Sequence, residues 1–143
     1  MTAGAPIALP SSLLAALRDR DEVLVTSRAG TRTGTVRMSF AVAPPGVVYL
    51  LTSAFSRKAL RWQRDPWVRL AVPGTGVAAE AVAHRVGAEE MDPAAEAIIV
   101  ERFATAGATT PESLRQLLEV GTHLLLRIDG GSAGSPVRLS PPG

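Results

Sequence analysis

The stretch Val47-Val48-Tyr49-Leu50-Leu51-Thr52-Ser53-Ala54-Phe55-Ser56-Arg57-Lys58 joins an apolar run, patterned as a strand, to a serine-capped helix start with two adjacent cations. Lys58 is the single lysine of the chain; the other fourteen basic side chains are arginines. A strand that ends in Thr-Ser and turns into such a helix makes a phosphate cradle. Helix N-terminal N–H groups point at the anion, the macrodipole favours negative charge, and hydroxyls and cations complete the shell. Without an anion, two cations in a first turn oppose the macrodipole at a cost of roughly a few tenths of a kcal/mol or more.

Working outward, Ser56 opens a helix that stops at Asp65-Pro66, because the residue before a proline avoids helical backbone angles. Upstream, Pro44-Pro45-Gly46 suits a type II turn and joins the run to a strand over Thr33–Ala43. There the period of two places Val36, Met38, Phe40 and Val42 on the core face and Thr35, Arg37, Ser39 and Ala41 on the other. Glu22–Ser27 reads as a first strand with Arg28-Ala29-Gly30-Thr31 as its turn. Before it, Ser11 or Ser12 caps a helix to about Arg20 that presents Leu13, Leu14 and Leu17 on one face. Trp67–Val72, the turn Pro73-Gly74-Thr75-Gly76 and Val77–Ala88 continue an antiparallel meander. Asp92-Pro93 starts a helix to Phe103, Thr110-Pro111 starts another that ends near Gly121, and Thr122–Ile128 is a final strand. The pattern predicts one mainly β, α+β domain over residues 1–130: a six-stranded antiparallel barrel with flanking helices. Residues 131–143, rich in Gly, Ser and Pro, read as a flexible tail in which Val137-Arg138-Leu139 could add an edge strand.

Composition narrows the function. At 143 residues, with 46% hydrophobic and 20% charged residues, the chain fits one globular domain. The absence of cysteine excludes disulfides, thiol nucleophiles and thiolate metal sites, so redox chemistry would need a bound cofactor. His84 and His123 are isolated in the sequence, and no metal site is expected. No apolar run is long enough to span a bilayer, and Met1-Thr2-Ala3-Gly4 lacks a basic leader region, so a cytoplasmic protein is expected. The net charge is only +2 and aromatic content is 4%, which argues against a nucleic-acid partner. The distribution of charge says more. Arg28, Arg32, Arg37, Arg57, Lys58, Arg61, Arg64 and Arg69 share their segment with one acid, Asp65, so this part should attract a small anionic ligand.

Arg37-Met38, the turn, Thr52-Ser53-Ala54-Phe55-Ser56-Arg57-Lys58-Ala59 and the Asp65-Pro66 stop resemble the FMN-binding split barrels of the pyridoxamine 5′-phosphate oxidase-like superfamily. The resemblance implies a homodimer with a flavin-type cofactor in each of two interface grooves. It implies that Arg57 and Lys58 bind the cofactor phosphate and that Thr52, Ser53 and Ser56 add polar contacts. Arg37, Met38 and Ser39 would run beside the isoalloxazine and ribityl chain. The implied activity is hydride transfer between FMN and a small organic substrate; the alternative is a cofactor-binding barrel without turnover. No vitamin B6 oxidation is implied, because the C-terminal substrate-binding region of the true oxidases is not recognisable. Arg32-Thr33-Gly34, Trp62 and Asp65-Pro66 also resemble the deazaflavin branch, which makes coenzyme F420 the alternative cofactor.

Overall fold

In Glu22–Ala29 (β1), Val23, Val25 and Ser27 are buried while the residues between them are only partly so, because successive strand side chains point to opposite faces. The same alternation recurs with local variations through Arg32–Ser39 (β2), Ala41–Ala43 (β3), Val47–Ser53 (β4), Trp67–Ala71 (β5), Ala78–Val86 (β6) and His123–Asp129 (β7). The computed structural model describes residues 6–54, 56–104 and 110–130. Among these, all strand pairings are antiparallel and form one seven-stranded sheet in the order β2-β1-β5-β6-β7-β4-β3. The sheet curls until β2 approaches β4, and its inner face, with Val25, Leu50, Leu70 and Ile128, forms the main core.

Helices close the two ends of this half-barrel. Ser11–Leu17 (α1) sends Leu13 and Leu17 into the core at the end where β4 begins, and Leu9 N donates to Gly46 O at 2.8 Å. Arg57–Arg64 (α2) grows from the other end of β4 and buries Ala59 and Trp62. Pro93–Arg102 (α3) and Pro111–Val120 (α4) cover the outer face of the opposite wing. Ala95, Ile99, Phe103 and Leu114 pack there against Ala41, Ala43, Tyr49, Val86 and Leu125. The expected caps are present: Ala59 N donates to Ser56 Oγ (3.2 Å), Ala95 N to Asp92 Oδ2 (3.1 Å) and Ser113 N to Thr110 Oγ1 (3.0 Å). Gly121, at φ 83°, ends α4 in the left-handed conformation.

The mainly β barrel architecture agrees with the sequence, with five differences. The strand expected over Thr33–Ala43 is two strands, which makes seven instead of six. It breaks at Phe40, whose carbonyl accepts from Arg102 Nε of α3 at 2.7 Å instead of joining a continuous strand. The order is not a meander: α2 carries the chain across the barrel end, so β5 lands beside β1 and β4 pairs with β7. Ala41 is buried because α3 covers its face, whereas Val36 and Val42, on the edge strands, are exposed. The β3–β4 turn does form a hairpin, but Pro44–Pro45 is cis and Gly46 has φ 136°, which is not a type II turn. Finally, α1 has Pro10 at its N-cap with no side-chain cap, so neither Ser11 nor Ser12 plays that part. The expected tail, its possible edge strand and Phe55 lie outside the described residues. No helix among the described residues is long and apolar enough to cross a membrane.

Candidate cofactor-binding site

The joint between β4 and α2 is fixed by its own hydrogen bonds. Ser53 O accepts from Ser56 N (3.3 Å) and from Ser56 Oγ (3.1 Å), while the same Oγ accepts from Ala59 N. Arg57 and Lys58 are the first two residues of α2. Helix geometry leaves the earliest N–H groups without an intrahelical acceptor; Ser56 takes that of Ala59, and those of Arg57 and Lys58 come just before it.

Strand alternation sorts the remaining predicted residues by face. Ser53 is exposed on the outer face of β4, whereas Thr52 is 6% exposed and shares the inner side with Leu50. On β2, Arg37 and Ser39 are exposed on the outer face, and Met38 is buried in the main core. Met38 and Thr52 therefore offer a ligand on the outer face their main chain, not their side chains. The main chain of β2 is accessible because it is a sheet edge. Arg37 Nη1 lies 3.7 Å from Glu22 Oε1 with both side chains well exposed, a loose pair that leaves the guanidinium available.

The surroundings keep this region positive. Asp65, the only acid between residues 28 and 69, is clamped by Arg28, with Nε 2.6 Å from Oδ2 and Nη2 3.4 Å from Oδ1, and it also accepts from Trp67 N at 3.1 Å. The Arg28 guanidinium stacks 4.7 Å from the Trp67 ring centroid. The hydrogen bond from Arg28 holds the Asp65 carboxyl below its ordinary value against the opposing effect of burial, with help from Trp67 N. Arg61 and Arg64 face a cleft of about 580 Å³ at the far end of α2, and Arg61 lies close enough to β2 that a Cβ on Gly34 would come 2.5 Å from its Nη1.

The depressed Asp65 value fixes the sign of a pH effect. Its contribution to stability is complete above the unfolded carboxylate range near pH 4 and is lost as pH falls through the folded value. Asp65→Asn is expected to lower stability by about 1 kcal/mol at pH 7, and the gap to wild type should close in strong acid. Urea unfolding at pH 7 and at about pH 2 measures both; an equal gap at the two values would show that the clamp carries no charge-dependent stability.

No family model and no curated protein matches this chain in sequence. Solved structures do match in fold. A putative pyridoxamine 5′-phosphate oxidase from Listeria innocua superposes with a TM-score of 0.56 at 17% identity, over 82% of this chain and 90% of that one. A pyridoxamine 5′-phosphate oxidase-related, FMN-binding protein from Nostoc punctiforme gives 0.57 at 17% identity, over 84% and 78%. The fold is that of the pyridoxamine 5′-phosphate oxidase-like split barrels. The heme storage protein HutZ from Vibrio cholerae shares the same split barrel, with a TM-score of 0.54 at 16% identity over 88% of this chain and 92% of that one. At such identities the likeness is one of fold, and the split barrel alone does not select a ligand.

One cluster in this split barrel escaped the sequence reading. His84 is not isolated: its Nε2 lies 3.2 Å from Oδ1 of Asp129, which is 1% exposed and also accepts from Arg127 Nε at 3.0 Å. The partners are 45 residues apart, and only the pairing of β6 with β7 brings them together, so no local spacing could have announced them. Among the described residues no group of His, Asp and Glu is arranged to hold a metal ion.

Proposed function

We propose that this split barrel binds FMN, or coenzyme F420 in its place, with the phosphate at the β4–α2 joint, and acts as an oxidoreductase on a small organic substrate. The carrying observation is the joint itself. A serine-capped helix begins with Arg57 and Lys58 shortly after an outward-facing Ser53, in a stretch of sequence, residues 28–69, whose one acid is already taken by Arg28. This donor set fits a phosphate ester: helix amides, hydroxyls and cations.

In this reading Arg57 and Lys58 neutralise the phosphate, and Ser53, Ser56 and the main chain at Thr52 supply hydrogen bonds. Arg37, Ser39 and the edge backbone at Met38 flank the ring and its chain. The bound cofactor supplies the two-electron chemistry, and the protein supplies orientation and electrostatics. These groups lie on an outer face and a sheet edge, so one chain leaves a ligand there half uncovered. A second copy covering it would make the homodimer, which sedimentation mass measurement by analytical ultracentrifugation with and without cofactor tests. A cytoplasmic location and a small-molecule substrate complete the reading.

A second reading, a cofactor-binding barrel without turnover, is favoured by one observation. The assigned residues are Arg, Lys, Met, Ser and Thr, with no acid or base suited to proton transfer near neutral pH. The visible absorption of purified protein titrated with FMN and with F420 tests binding, because the two chromophores absorb at different wavelengths. Steady-state oxidation of the reduced cofactor by a panel of acceptors separates the enzyme from the carrier. A spectrum unchanged by either cofactor would overturn both readings.

A further inference from the structure

Tyr49, Arg127 and His84 form a row across three adjacent strands, since Tyr49 pairs with Arg127 and Arg127 with His84. Directly paired residues point to the same side of a sheet, so the three polar ends gather on the outer face of the barrel. They line a cavity of about 700 Å³ between the β3–β4 turn and the start of α3. Tyr49 is four residues before Ser53 on β4, or about 13 Å at the strand rise, so this cavity is distinct from the β4–α2 joint.

The row is built and incompletely used. Asp129 takes Nε of Arg127 and Nε2 of His84; a carboxylate cannot donate, so His84 carries its proton on Nε2 and keeps Nδ1 for another partner. Among the described residues the terminal nitrogens of Arg127 have no hydrogen-bond partner, nor does the Tyr49 hydroxyl, although Tyr49 is only 6% exposed. Burial raises the Tyr49 pKa, with Arg127 acting in the opposite direction, so the hydroxyl stays a donor at neutral pH. A phenol whose ring is buried while its hydroxyl reaches the cavity, beside a guanidinium held by a fixed carboxylate, makes a ready receptor for a planar, charged acceptor.

We propose that this cavity is a second ligand site, specific for small apolar monocarboxylates held by Arg127 and Tyr49. The charge at the rim limits the ligand to one negative charge. Arg85 and Arg127 line it together with Glu90 and Asp92, so a second negative charge on the ligand would lie against carboxylates. Glu90 and Asp92 are fixed there by capping duty, accepting from Gly87 N (2.6 Å) and Ala95 N (3.1 Å). Val47, Val86 and Pro45 form an apolar wall that suits an aryl or branched aliphatic body, and the volume lies within the range of small-molecule pockets. The inference does not rest on the cofactor reading.

The chain has one tyrosine, so protein made with ring-¹³C tyrosine gives a single site-specific NMR signal. Titration with benzoate is expected to shift that signal saturably, whereas benzamide and inorganic phosphate leave it unmoved. By calorimetry, Tyr49→Phe and Arg127→Lys should each weaken benzoate binding about tenfold. Arg57→Ala with Lys58→Ala should leave it unchanged, which separates this site from the cofactor joint. The absence of a saturable shift, equal shifts with benzamide, or loss of binding in the Arg57/Lys58 variant overturns the proposal. Should either cavity variant fail to fold, the wild-type titration decides by itself.

Discussion

Replacing Arg57 and Lys58 together with alanine is expected to weaken FMN or F420 binding by about two to four orders of magnitude. Each hydrogen bond to a charged group contributes about 1.5–3 kcal/mol, and every 1.4 kcal/mol is a factor of about ten in affinity. The same change should leave the fold intact. Alanine is the best helix former, and removing two cations from the first turn of α2 relieves their opposition to the macrodipole, so stability should hold or rise by about a few tenths of a kcal/mol. Fluorescence titration of cofactor, run beside thermal unfolding, reads the two effects separately. Weaker binding with an unchanged melting temperature isolates anion recognition; unaltered affinity removes the phosphate from the joint.

Trp62→Ala is expected to cost about 3–5 kcal/mol of stability, the usual penalty for emptying a large aromatic site in a core. Trp62 is 4% exposed and ties α2 to the inner face of the barrel, so its loss should also loosen the helix that begins with Arg57 and Lys58. Trp62→Phe should be far milder. The indole Nε1 is buried without a hydrogen-bond partner, and leaving such a donor unsatisfied costs about 1–3 kcal/mol. Phenylalanine removes that penalty while surrendering only part of the packing, so the net change should stay within about 1.5 kcal/mol. Urea unfolding of the two variants tests the difference; a Trp62→Phe loss well beyond about 1.5 kcal/mol would mean that the indole nitrogen carries no penalty in the folded state.

Much of this architecture was legible because its signals are local. Ser56, Asp92 and Thr110 each precede a helix and cap it, Asp65-Pro66 stops α2, and alternation in β1 and β4 points Val25 and Leu50 inward. What escaped depends on elements far apart in the chain. The break at Phe40 needs Arg102 from α3, the burial of Ala41 needs the same helix, and the place of β5 beside β1 is set by the crossing of α2. The candidate joint was visible as Ser56-Arg57-Lys58, since a cap and its helix are contiguous. The Tyr49–Arg127–His84 row was not, because β4, β6 and β7 meet only after the sheet has assembled.

That assembly has a bottleneck. Among the described residues β7 is the sole bridge between β2-β1-β5-β6 on one side and β4-β3 on the other, and it follows the other six strands. During synthesis Val48 has no strand partner on that side until Ile128 has left the ribosome, so the nascent chain holds two separate sheet fragments with open edges. Barrel closure therefore waits on β7, and until it pairs the two fragments keep open edges that could pair wrongly.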